Sequence, residues 1–261
     1  MRVLPTLQKR HHPLASGAAQ RRRLAELPLA RTFEAALDGA GLLPLVATGI
    51  DVLQINVGKK CNQTCRHCHV DAGPDRTETM PPDVVDACLR VLVESTIPTL
   101  DITGGAPELH PDFPRIVAAG TALGRRVIDR CNLTITRLPN YLWIPPFLAE
   151  HRVEITASLP YFQGRQTDAQ RGEGVFDESI AALRELNALG YGRAGSGLCS
   201  TWSPTRSVPS CRPTSVRRSG IGSGSSSDGT ASCSSGCSRS RTCRSADFWS
   251  ISTRRGRRRP T

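Results

Sequence analysis

No stretch of this chain combines the length and apolarity of a membrane span, so a helical membrane protein is not expected. The first 23 residues hold no acid and no continuous apolar segment. Positive charge without an apolar core is not a secretory signal. A thiol-bearing chain without an export signal points to a reducing cytoplasm. Acids are also scarce at the other end, where residues 199–261 carry two Asp against twelve Arg. The formal net charge of +11 therefore belongs to the two ends, while residues 24–198, with 16 basic and 21 acidic residues, are mildly acidic. A basic balance signals a nucleic-acid surface only when it lies on a folded face, so no nucleic-acid partner is expected from it.

The centre of the sequence is a short apolar run, Val52 to Val57, that turns directly into Cys61, Cys65 and Cys68. Thiolates are soft ligands suited to iron–sulfur clusters and to zinc. Three of them in a C-x3-C-x2-C spacing can hold three corners of a [4Fe–4S] cube, which leaves the fourth iron open. The alternative is a structural zinc site that adds His67 or His69.

Around this loop, apolar runs and helical periods alternate. Strands are expected at Val52–Val57, Thr99–Thr103, Arg126–Arg130 and Val153–Leu159. Helices are expected from Pro81 or Pro82 through Leu92, at Phe113–Leu123, at Pro145–Glu150 and at Phe176–Leu189. The last would present Phe176, Ile180, Leu183 and Leu186 on one face. Four β–α units in succession imply parallel strands with right-handed crossovers. In barrels of this kind active sites lie at the C-terminal strand ends. The cysteine loop, Gly104-Gly105-Ala106-Pro107-Glu108, Cys131-Asn132 and Ser158 all fall there. Cys88 lies on an apolar helical stripe and reads as a small core residue.

A cysteine loop after a strand, followed by Gly104-Gly105-Ala106-Pro107-Glu108 after the next, resembles the radical S-adenosylmethionine (SAM) family. Cys61-Asn-Gln-Thr-Cys-Arg-His-Cys-His-Val-Asp-Ala-Gly-Pro, Asp101-Ile-Thr-Gly-Gly-Ala-Pro-Glu-Leu, Val127-Ile-Asp-Arg-Cys-Asn-Leu-Thr and Gln170-Arg-Gly-Glu-Gly-Val-Phe closely resemble its arsenosugar-biosynthesis members over about residues 50–198. The resemblance implies an α/β fold, a (βα)6-type barrel present here only in part, with about four βα units. It implies Cys61, Cys65 and Cys68 as cluster ligands, and Gly104, Gly105, Ala106, Pro107 and Glu108 facing the methionyl end of SAM. It places His67 beside the adenine and Ser158 at the ribose or carboxylate, a plain cap or turn serine being the equal alternative, and makes Cys131 a candidate substrate thiol, with a buried structural thiol the equal alternative. It implies a trivalent methylated arsenic substrate and an electron donor such as flavodoxin or ferredoxin.

The pattern breaks at Leu198. Residues 1–47 read as a basic disordered tail with a short helix near Phe33, residues 48–198 as the core, and residues 199–261 as a disordered tail with 18 Ser and 12 Arg. That tail back-translates informatively. With one G restored before Cys199, bases that can encode residues 199–214 also read Val-Leu-Asn-Leu-Val-Ser-Asn-Pro-Val-Gly-Ala-Phe-Leu-Pro-Pro-Asp, an apolar strand and a turn. Residues 231–250 behave the same way in the same frame. The tail therefore reads as a frameshift product, and the chain as a weakly active or inactive enzyme. The alternative is a zinc- or nucleic-acid-binding protein that uses the cysteine motif and the basic tail.

Overall fold

The computed structural model describes residues 5–161 and 163–203. The chain divides into two units, Met1–Thr205 and Arg206–Thr261, and the expectations for residues 204–261 lie outside the described residues. Two short helices come first, α1 (Gly17–Ala25) and α2 (Phe33–Asp38). The strands are β1 (Val52–Asn56), β2 (Thr99–Thr103), β3 (Arg126–Asp129), β4 (Glu154–Ser158) and β5 (Ser200–Ser203). They form one parallel sheet in sequence order. The crossovers carry α3 (Pro82–Glu94), α4 (Phe113–Ala122), α5 (Ile144–Glu150), α6 (Gly164–Arg171) and α7 (Val175–Ala188). The expected α/β partial barrel is what the structure shows.

Register divides the sheet into two chemically different faces. Partners in a parallel ladder share a face, so Ile55, Ile102, Asp129 and Ile155 form one row. Leu100 and Val127 lie on the same face, one pleat lower. Helix α4 covers them closely: a Cβ on Gly120 would stand 2.8 Å from Val127 Cγ2 and 2.9 Å from Leu100 Cδ2. The alternate row is polar. Asp101 accepts from Gln54 Nε2 at 2.8 Å and holds Arg130 through Nε at 2.8 Å and Nη2 at 2.7 Å. Arg126 Nη2 donates to Glu154 Oε2 at 2.6 Å. One face thus packs the core, and the other carries charged pairs, Asp101–Arg130 toward the C-terminal strand ends and Arg126–Glu154 at the N-terminal ends.

Four features differ from the sequence expectation. The core does not stop at Leu198: β5 pairs with β4 along Ile155↔Ser200 to Ser158↔Ser203. An edge strand offers unpaired N–H and C=O groups to any extended segment, so pairing needs no apolar side chains. Within the expected N-terminal tail, Thr6 to Gln8 are anchored, while α1 buries no residue. Thr6 is fully buried, its Oγ1 donates to Asp75 Oδ2 at 2.8 Å, and the Leu7 and Gln8 amides donate to Asp71 at 2.6 and 3.0 Å. The buried face of α7 is Val175, Ser179, Ala182 and Leu186, turned from the expected stripe. Ser179 is tolerated in the core because its hydroxyl donates to Val175 O at 2.7 Å. Helix α6 has almost no apolar residue and so gives no periodic signal. It is fixed instead by Asp168, which accepts from the amides of Gly174 and Phe176 and so begins α7.

Candidate cluster site

Strand β1 runs into the cysteine loop over the tip of β2. The Gly105 amide donates to Gly58 O and the Ala106 amide to Lys60 O, both at 2.9 Å. A Cβ on Gly105 would stand 2.4 Å from Lys60 O, and one on Gly104 3.0 Å from Gly58 O. The two glycines therefore let one backbone cross another directly beneath Cys61. The far side of the loop is closed by the Cys61 amide on Gly73 O and the Gly73 amide on Lys59 O, each at 3.1 Å. Arg76, nearly buried, ties the exit: Nη1 donates to Asp71 Oδ2 at 2.9 Å, and Nε and Nη2 engage Glu78. This pairing with Arg76 holds the Glu78 carboxyl down at about 2.

Hydrogen bonds point at the sulfurs. Cys61 Sγ accepts from the Gln63 amide at 3.4 Å and from Asn132 Nδ2 at 3.5 Å, and Cys68 Sγ accepts from the Ala72 amide at 3.2 Å. Burial pushes the Cys61 thiol up to about 12, with the neighbouring Cys65 and Cys68 adding to the rise. Burial also raises Cys65, against the opposing pull of Arg171. Such thiols ionise only when a metal takes the place of their protons. Among the described residues, the three potential ligand atoms that lie within 4.8 Å of one another belong to Glu108, Asp129 and Cys131. The loop thiols, with or without His67 or His69, are not gathered that tightly. A tetrahedral zinc site would need its sulfurs about 3.8 Å apart.

A second layer fixes the loop. Asn132 Nδ2 also donates to Asn62 Oδ1 at 2.7 Å, and Asn62 Nδ2 and Gln63 Nε2 both reach Thr134 Oγ1, at 2.8 and 2.5 Å. Beside it stands Arg171, 5% exposed, with Nη1 on Asn132 O at 3.4 Å and Nε without a partner. Burial, and then the charge of Arg171, lowers His67, so a neutral ring faces the loop. Its Nδ1 is buried and unpartnered.

Residues 55–199 match the family model described as the Radical SAM superfamily. The chain belongs to the radical SAM superfamily. Enzymes of this superfamily use a [4Fe–4S] cluster and S-adenosylmethionine. The chain is 31% identical to a probable GTP 3',8-cyclase of Pyrococcus abyssi over 144 residues, covering 53% of this chain and 44% of that protein. It is 29% identical to the mycofactocin maturase MftC of Mycobacterium tuberculosis over 140 residues, covering 50% of this chain and 33% of that protein. The crystal structure of Streptococcus suis SuiB bound to S-adenosylmethionine superposes with a TM-score of 0.46 at 15% identity, over 70% of this chain and 43% of that one. The chain thus spans less than half the length of the curated relatives it matches.

The radical SAM loop residues fit the cluster: three thiols on one loop, amides aimed at two sulfurs, and a buried cation alongside. Gly104, Gly105 and Ala106 sit against that loop, Ala106 and Pro107 being buried. Ser158 lies at the tip of β4, and its amide donates to Cys131 O at 3.1 Å. Glu108 lies away from the place the resemblance gave it, and Cys131 takes the second of its two alternatives, a buried thiol. Glu108 is 3% exposed and grouped with Asp129 and Cys131, not with the cysteine loop. Cys131 is fully buried beside Glu108 and Asp129, whereas its neighbour Asn132 reaches Cys61. Sequence reasoning missed Arg171, Asn62, Gln63 and Thr134. The signal for all four was their place in the segments that carry the resemblance, Cys61-Asn-Gln-Thr, Asn132-Leu-Thr and Gln170-Arg-Gly.

Proposed function

We propose that Cys61, Cys65 and Cys68 hold a [4Fe–4S] cluster whose open iron takes S-adenosylmethionine, and that the whole protein is a radical SAM enzyme. The observation that supports this most is the loop itself, whose sulfurs receive N–H groups while its backbone is locked over Gly104-Gly105. When bound, the cluster supplies the electron that cleaves the SAM sulfonium to a 5′-deoxyadenosyl radical. The protein's part is to bind, orient and keep water away. Asn132 and the Gln63 amide stabilise charge on Cys61, and Arg171 offsets the negative charge of the loop thiolates. Neutral His67 and Ser158 flank the space for SAM at the strand ends. The polar row Gln54, Asp101 and Arg130 presents charge on the uncovered face. Anaerobic reconstitution tests the reading. One SAM-sensitive reduced-cluster EPR signal, lost in Cys61→Ala, is expected together with 5′-deoxyadenosine formation. A signal that survives Cys61→Ala would overturn it.

For the substrate, the resemblance of four segments to arsenosugar-biosynthesis enzymes supports transfer of the 5′-deoxyadenosyl group to trivalent dimethylarsenic. Cys131, enclosed on the helix-covered face, is not the thiol that meets it. Residues 199–261 are encoded out of frame in this reading, which leaves this chain with little turnover. Support comes from β5, which lies where the restored frame writes Val-Leu-Asn-Leu-Val. Resequencing across the Leu198 codon, then assaying the corrected chain for a 5′-deoxyadenosyl–arsenic adduct by mass spectrometry, decides both points. An uninterrupted gene sinks the frameshift, and an adduct-free corrected enzyme that still cleaves SAM sinks the substrate.

A further inference from the structure

Behind the sheet from the cysteine loop lies a buried group that the radical chemistry does not use. Glu108 follows the Gly-Gly turn, Asp129 ends β3 and Cys131 follows two residues later. One ligand atom from each lies within 4.8 Å of the other two. The residues are 3%, 0% and 0% exposed. All four carboxylate oxygens of Glu108 and Asp129 are buried without a hydrogen-bond partner in the surrounding protein. What they can reach is one another and the thiol. The row they interrupt is otherwise Ile55, Ile102 and Ile155. Among the described residues no basic side chain answers them: of the charged groups that act on Asp129 the next is another acid, Asp101. Tyr191 approaches, but its hydroxyl already donates to Val153 O at 2.9 Å.

Buried acids in an apolar layer are paired, protonated or bound to a metal. We propose that Glu108, Asp129 and Cys131 form a second metal site, for a divalent cation of the zinc class, separate from the cluster loop. Two carboxylates and one thiolate make a mixed oxygen–sulfur set of three, which zinc accepts at about 2.0–2.3 Å with a fourth position left over. A dication supplies the positive charge that this layer lacks. Burial pushes the Asp129 carboxyl and the Cys131 thiol well up, so binding displaces protons and strengthens as pH rises. The site braces the tips of β2 and β3 from behind, where Asn132 and Gly105 hold the cysteine loop from the front.

The test uses the full-length chain with Cys61, Cys65, Cys68 and every cysteine from Cys199 onward changed to Ser, so that neither loop nor tail competes. Cobalt(II) titration is expected to give one equivalent bound with a single-thiolate charge-transfer band, and zinc to displace it. Glu108→Gln and Asp129→Asn keep shape and are expected to weaken binding by about 100-fold or more, beyond what indirect partners of a ligand cost. Cys131→Ser is expected to remove the band. Zinc should raise the melting temperature of the parent and not of these variants. If the carboxyls share protons instead, the folded parent binds no cobalt and zinc leaves its melting temperature unchanged, which overturns the proposal. Full binding in Glu108→Gln overturns it equally. Because the loop cysteines are absent, neither result bears on the cluster.

Discussion

Adding one methyl group at Gly105 should release the cysteine loop. The new Cβ would stand 2.4 Å from Lys60 O, 2.8 Å from Lys60 C and 2.9 Å from Lys59 C. All three are backbone atoms, so no side chain can swing away. Contacts under 3.0 Å are not sustained, and the loop must retreat by at least 0.6 Å. That retreat strains the paired hydrogen bonds Gly105 N–Gly58 O and Ala106 N–Lys60 O. Overpacking costs about 1–3 kcal/mol, and one lost backbone hydrogen bond adds about 1 kcal/mol. For a core of this size, 2–4 kcal/mol lowers the melting temperature by roughly 5–15 °C. Lys60 precedes Cys61, so the movement carries the first ligand with it. Gly105→Ala is therefore expected to lower both melting temperature and iron bound per chain after reconstitution. Gly104→Ala should do less, since its nearest contact is 3.0 Å, and Gly49→Ala, with nothing within 4 Å, should do nothing. Iron content and melting temperature in Gly105→Ala equal to those in Gly49→Ala would refute the reasoning.

Arg171→Met removes the buried cation beside Cys65 and should lower the cluster midpoint potential by on the order of 50–100 mV, one to two decades for a one-electron couple; an unchanged potential in redox titration counts against its electrostatic role. Glu78 is held at about 2 by Arg76 against an ordinary value of 4.5. A depressed carboxyl contributes stability above its unfolded value and loses it as the pH falls through the folded one, so wild type should lose more stability than Glu78→Gln between pH 4.5 and 2. The gain is small because Glu78 is 48% exposed, and parallel curves for the two proteins would remove it. Asp71→Ala frees the Leu7 and Gln8 amides and half of Arg76. It should cost about 2–3 kcal/mol and speed tryptic cleavage at Arg10 and Arg21, whereas unchanged cleavage would mean that the N-terminal segment is not anchored there.

The fold was legible where period and turn chemistry agree. Strands β1 to β4 and helices α3, α4, α5 and α7 fall within a residue or two of expectation, because β-branched runs end in Gly or Cys loops and the helices carry apolar stripes. Helix α6 was not legible because Gly164-Arg-Gln-Thr-Asp-Ala-Gln-Arg171 buries little apolar surface and is held by Asp168 instead. The candidate ligands Cys61, Cys65 and Cys68 stand out by their spacing, and the resemblance gives them their role. The partners of those ligands do not stand out: that Asn132 reaches Cys61 depends on β3 lying two strands from β1 in this register. Thr6 packing beneath Gly73 is likewise a tertiary fact, the two being 67 positions apart with no periodic mark.

The tip of β3 shows why register carries so much of the chemistry. Cys131 and Asn132 are neighbours, yet one enters the helix-covered layer and the other touches Cys61. A slip of one residue would exchange them. It would put a thiol beside the loop sulfurs and an amide among the buried acids. The structure holds the register by Arg130 N on Ile102 O at 3.0 Å and by Ser158 N on Cys131 O at 3.1 Å. Immediately afterwards Leu133 takes φ of 71°, unusual for a side chain larger than glycine, while fully buried. Such a conformation costs about 1–3 kcal/mol and persists only where the surroundings over-determine it. Here they do. The Asn132 carbonyl oxygen of the side chain accepts from the Ile135 amide at 3.1 Å, and the Leu133 amide donates to Cys131 Sγ at 3.2 Å. The strained turn is the means by which one strand end serves the cysteine loop on one face and the buried acids on the other.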